Sequence, residues 1–222
     1  MDDYLSEKEQ WEWLKTQARV YSPWIVAGIA GGALLVVGSQ WWHGRADRLA
    51  VSASVQYQQI IDAFGHRDNA HALSLIDALG REQPKSPYID QANLAAARAF
   101  VDAGELDKAS ARLKTVMEQT PDHALALVAR ERLARAQIAQ NAPDAALATL
   151  AAVDPGSFAP RYHEVRADAF EAKKDFPAAL KEYRAARAAD GSGIVDPESL
   201  DLKIGDLVAD ERAASAAAVT NN

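Results

Sequence analysis

The sequence predicts an all-α protein: a single N-terminal transmembrane helix, then an α-solenoid of about four helical hairpins. Three observations carry this expectation. Alanine fills 47 of 222 positions against nine prolines and twelve glycines, and alanine is the best helix former and a poor strand former. No charged residue lies between Arg19 and Arg45. Beyond that run, small residues recur at the spacing of a helix–turn–helix unit. Composition also excludes functions. A net charge of −7 disfavours binding to a phosphate backbone, which needs a basic face. With no cysteine there is no thiol nucleophile, disulfide or thiolate metal site.

Residues 1–23 form an acidic tail, with Asp2, Asp3, Glu7, Glu9 and Glu12 against Lys8, Lys15 and Arg19. That balance is opposite to the basic start of a cleaved signal peptide and points to an uncleaved anchor. Ser6 and Glu9 have the spacing of a capping box, and Trp11, Leu14, Ala18 and Tyr21 share one helical face, suited to the headgroup boundary or, alternatively, to docking a cytosolic partner. Residues 24–42 are the expected span. At about 1.5 Å per residue it covers roughly 28 Å, close to a hydrocarbon core. Tyr21 and Trp24 mark one end, and Trp41 and Trp42 the other. All five tryptophans lie in the first 42 residues, so this end meets a different solvent. Gly28 and Gly32 form a G-x-x-x-G that admits close packing of a second helix; glycine is also common in spans without a partner, so specific packing stays open. Three cations before the span and Arg45 and Arg48 after it do not set its orientation.

Residues 43–208 carry the repeats. Aligning Ala72, Ala109, Ala146 and Ala179 gives spacings of 37, 37 and 33 residues. Ala97, Ala134 and Ala167 then fall into register upstream, and Ile76, Leu113, Leu150 and Tyr183 downstream. Small residues allow two antiparallel helices to approach, and a larger residue four positions on fills the adjoining gap. Pro84 and Pro121 close two of the units. This pattern resembles the tetratricopeptide repeat, with its period of about 34 residues. Phe100 and Phe170 fit that repeat's first-helix aromatic, while Ala63 and Gln137 depart from it. After a break at Gly191–Pro197, Glu198 to Val208 reads as a capping helix with Leu200, Ile204 and Leu207 on one face, and residues 209–222 as a disordered tail.

The order of parts narrows the resemblance. A short acidic tail, one span, ASVQYQQIIDAF (Ala53–Phe64), FVDAGELDKASARL (Phe100–Leu113), ERLARAQIAQNAPDAALATL (Glu131–Leu150) and LDLKIGDLV (Leu200–Val208) follow one another. This series is similar to the YfgM family, the ancillary subunits of the SecYEG translocon. The resemblance implies an inner-membrane protein with a cytoplasmic N-terminus and periplasmic repeats. It also implies SecYEG and a PpiD-like membrane-anchored chaperone as partners.

Catalytic chemistry is not expected. The five histidines are scattered, without a metal-ligand spacing, and no nucleophile elbow or phosphate-cradling loop occurs. No cofactor follows from the sequence. Stacked hairpins offer instead a concave face lined by the first helix of each unit. Its candidate residues are Tyr57, Ile61 and Phe64; Leu94, Arg98 and Val101; Glu131, Arg135 and Ile138; and Glu164 and Asp168. The membrane-proximal half is the more apolar and the distal half the more charged. Some of the apolar members also suit packing between units. The expected function is a membrane-anchored, protein-binding adaptor at the translocon that aids the passage or folding of exported proteins. The alternative is a scaffold for another cell-envelope complex using the same face.

Overall fold

A computed structural model describes residues 7–151, 153–189 and 193–220. Among these the chain forms nine α-helices, one short 3-10 turn and no strand. Two compact units divide it, one up to Ser52 and one from Ala53 onward.

The first unit is the N-terminal part of α1 (Glu7–Gly65). Ser6 lies outside the described residues, so the capping box is not observed. Trp11, Leu14 and Tyr21 are exposed, as are Trp24, Leu34, Leu35 and Trp41. Among the described residues, the stretch apolar and long enough to cross a membrane is Tyr21–Ser39, about one turn earlier than the expected 24–42. Pro23 sits inside this helix. A proline has no N–H to offer the carbonyl four residues back, here that of Arg19. The Ser22 hydroxyl, 3.5 Å from that carbonyl, donates in its place.

The second unit begins with the last turns of α1 and continues as α2 (Asn69–Glu82), α3 (Pro87–Asp102), α4 (Leu106–Gln119), α5 (His123–Ala139), α6 (Pro143–Ala151), α7 (Ala159–Ala172), α8 (Phe176–Ala189) and α9 (Pro197–Thr220). Sequential pairing gives four hairpins: α1–α2, α3–α4, α5–α6 and α7–α8. The small-residue register holds throughout. Ala72, Ala109, Ala146 and Ala179 are fully buried, as are Ala134 and Ala167, with Ala97 nearly so. Ile76, Leu113, Leu150 and Tyr183 are buried beside them.

The same register organises the turns. Arg67, Gly104, Asn141 and Lys174 all have φ between 60° and 75°. In each turn the N–H one residue further on donates to the carbonyl five residues back: Asp68 to Ala63, Glu105 to Phe100, Ala142 to Gln137, Asp175 to Phe170, at 2.8–2.9 Å. This is the Schellman closure, which satisfies the last carbonyls of the first helix. Because the backbone carbonyl makes this bond, Ala63 and Gln137 serve as well as the two phenylalanines. A polar tie also recurs between units. Gln140 Nε2 donates to Asp107 at 2.7 Å, and Lys173 Nζ to Asp144 at 2.5 Å, both joining a turn to the second helix of the preceding unit.

Helix α9 caps the array. Val195, Leu200 and Leu207 are buried against Ala179, Tyr183 and Ala186. It continues to Thr220, past residue 209, where the expected disordered tail begins. The alanine-rich stretch after Val208 contains no glycine or proline to stop it. Ala152, Asp190–Ser192 and the last two residues lie outside the described residues.

Candidate functional site

The residues expected on the face of the first helices fall into three regions. In the first, Tyr57 and Phe64 pack against a cluster that includes Ile60, Ile76 and Leu79. The Tyr57 ring lies 5.5 Å from that of Tyr88. Ile61 and Phe64, with Ala95, Arg98, Ala99 and Asp102, line a cleft of about 760 Å³. Tyr57 is not among its lining residues and acts mainly as packing.

The middle region is a cleft of about 450 Å³ between the second and third hairpins. Leu94, Arg98 and Val101 enter it from α3, and Arg132 and Arg135 from α5. Leu94 also leans on the core cluster of Ala97, Leu113 and Leu133, whereas Val101 is 45% exposed. Arg98 and Asp102, 3.8 Å apart and both exposed, form the ridge shared by the two clefts. Ile138 belongs to neither. It is partly buried against a cluster that joins α5, α6 and α7, including Leu127, Ala134, Leu150 and Val165.

The distal region is an ion network rather than an open surface. Glu164, 9% exposed, meets Arg161 at 3.0 Å, Arg135 at 3.5 Å and Lys203 at 3.7 Å. Arg135 is also hydrogen-bonded to Glu131. Lys203 Nζ donates to Asp168 at 2.6 Å and lies 5.1 Å from the Tyr183 ring centre. The Tyr183 hydroxyl stands 2.6 Å from Asp168 and 2.8 Å from Glu171, one proton facing two carboxylates. Burial, reinforced by these acidic acceptors, holds the Tyr183 phenol well above its ordinary range. For Arg135 burial alone would lower the pKa; Glu131, Glu164 and Asp168 outweigh it, and the guanidinium stays charged more firmly than usual. Glu131, Arg135, Glu164 and Asp168, all expected on this face, are therefore brought together and tied to one another. Arg161 and Lys203 were not foreseen. Lys203 comes from the capping helix, 35 residues from Asp168, and its place on that helix carries no signal in the sequence.

Gly28 and Gly32 have nothing within 4 Å of where a side chain would begin, so the helix face they share is open. Among the described residues no group of three His, Asp or Glu side chains is arranged to hold a metal ion.

Hairpins in a common register, closed by identical turns and lined on one face by the first helices, define a tetratricopeptide-type α-solenoid. The comparisons agree. The family described as a tetratricopeptide repeat-like domain matches residues 13–209. The ancillary SecYEG translocon subunit of Escherichia coli (strain K12) is 30% identical over 209 residues, covering 93% of this chain and 99% of that protein. The protein of that name from Neisseria gonorrhoeae (strain ATCC 700825 / FA 1090) is 26% identical over 208 residues, covering 93% of this chain and all of its own. The chain belongs to this tetratricopeptide repeat-like family and, within it, to the ancillary SecYEG translocon subunits. Among solved structures, MamA 41-end from Desulfovibrio magneticus RS-1 superposes with a TM-score of 0.55 at 16% identity, over 75% of this chain and 89% of that one; this likeness concerns the fold alone.

Proposed function

We propose that this protein is a membrane-anchored adaptor of the SecYEG translocon, presenting its helical repeats to protein partners and to chains in transit. The observation that carries this is the end-to-end match to a relative named for that complex, at 30% identity over 93% of the chain. The span Tyr21–Ser39 supplies the anchor in the inner membrane. The N-terminus lies in the cytoplasm and the repeats in the periplasm, where a membrane-anchored chaperone of the PpiD type is the expected companion. Binding, not catalysis, is the activity. Its surface is the pair of clefts around Leu94, Arg98 and Val101, where apolar side chains stay accessible on a rigid helical frame. Gly28 and Gly32 provide a second contact, inside the bilayer, for a partner's span.

A photoactivatable amino acid at Val101 or Arg98, introduced into the full chain in cells, tests this reading. Crosslinks to translocon subunits or to an attached chaperone are expected. Crosslinks confined to other envelope proteins favour the scaffold alternative. Alkaline phosphatase fused after Asn222 should be active, and an inactive fusion reverses the topology.

A further inference from the structure

The two halves of the concave face treat charge differently. In the distal half, Glu131, Glu164 and Asp168 already have cations from this chain: Arg135, Arg161 and Lys203. In the proximal half arginine is in surplus. Arg67 and Arg98 edge the 760 Å³ cleft, and Arg98 and Arg132 the 450 Å³ cleft, beside Arg135, which is committed to Glu131 and Glu164. Asp102 is the sole acidic residue lining either. Among the described residues, Arg132 and Arg67 pair with no carboxylate, and Arg98 reaches only the exposed Asp102 at 3.8 Å. A chain of net charge −7 thus concentrates unneutralised guanidinium groups around an apolar cleft lined by Leu94, Ala97, Val101 and Ala136, of which Val101 is exposed.

We propose that the cleft between α3 and α5 docks a protein segment whose apolar side chains are flanked by Asp or Glu. The apolar groups would rest on Leu94 and Val101, and the carboxylates would pair with Arg98 and Arg132. A guanidinium is suited to this, since its planar fork donates two parallel N–H bonds to a carboxylate and is weakly hydrated. Charges at such a rim select partners and speed encounter more than they add affinity, and a lysine-flanked segment of the same shape would meet like charge. This inference rests on the adaptor reading and specifies the chemistry of its client.

The test uses the full chain in nanodiscs and two fluorescein-labelled peptides. Both have the same Leu, Phe and Ser positions; one carries aspartates between them, and the other lysines at those places. The acidic peptide should bind about tenfold tighter in low salt, a preference shrinking in high salt because exposed pairs are screened. Arg98→Glu with Arg132→Glu should reverse the preference. Val101→Asp, an exposed change that leaves the fold intact by circular dichroism, should weaken the acidic peptide. Equal binding of both peptides, lost in Val101→Asp, overturns the charge preference and leaves the adaptor reading standing. If neither peptide binds, both fall.

Discussion

Removing the charge of Lys203 while keeping its stem, as in Lys203→Met, exposes how α9 is held. The ammonium is the near partner of Asp168, at 2.6 Å, and a third cation for Glu164. Breaking a fully buried ion pair costs about 3–5 kcal/mol, and an exposed one about 0–1 kcal/mol. The Lys203 side chain is 33% exposed and that of Asp168 21%, so the change should cost about 2 kcal/mol. For a domain of this size that corresponds to about 4–8 °C in melting temperature. Tryptophan fluorescence cannot read it, since all five tryptophans lie within the first 42 residues. Circular dichroism of the full chain should be paired with hydrogen exchange, which should show faster exchange in α8 and α9 and little change in α3 and α4, because each hairpin contacts only its neighbours. Asp168→Asn should cost at least about 1 kcal/mol less in the Lys203→Met background than in the parent. A melting temperature within about 1 °C of the parent, or additive costs, refutes the view that this ion pair secures the cap.

The repeated turn makes a signed prediction. Gly104→Ala should lose about 1 kcal/mol and Lys174→Gly gain about 0.5–1 kcal/mol, because a left-handed residue with a side chain is strained; denaturant midpoints check both. Ala109→Trp or Ala146→Trp, at fully buried contacts between paired helices, should overpack the hairpin and cost about 1–3 kcal/mol. Unchanged melting in both would refute the register. Burial raises the Tyr162 phenol from 10.0 to about 12, and its hydroxyl donates to the buried Leu127 carbonyl at 2.9 Å. The folded state therefore keeps a proton that the unfolded chain releases near pH 10, and the stability so contributed is complete below that pH and lost as pH rises toward 12. Tyrosine absorbance should show Tyr162 ionising only with unfolding, and Tyr162→Phe should flatten that part of the pH profile.

Periodic demands are legible along a chain because each repeat states them again. Ala109, Ala146 and Ala179 had to be small wherever two helices touch, so their spacing revealed the hairpins. The span was equally plain, since a hydrocarbon core excludes charge over a fixed length. Turn conformation was less so. Gly104 advertises a left-handed residue, but Arg67, Asn141 and Lys174 occupy the same φ without glycine, because the closing hydrogen bond to the first helix over-determines it. Helix α9 ran past its expected end, since nothing in its alanine-rich tail opposes helix. Accessibility was decided only by the tertiary structure. Sequence placed Glu131, Glu164 and Asp168 on the concave face, but it could not show that Lys203 reaches across from α9 to Glu164 and Asp168, or Arg135 from α5 to Glu164. It named Arg98 without revealing that Arg132 would join it in surplus around an apolar floor. Which charges are satisfied and which are left for a partner depends on distances between residues tens of positions apart, and only packing sets those distances.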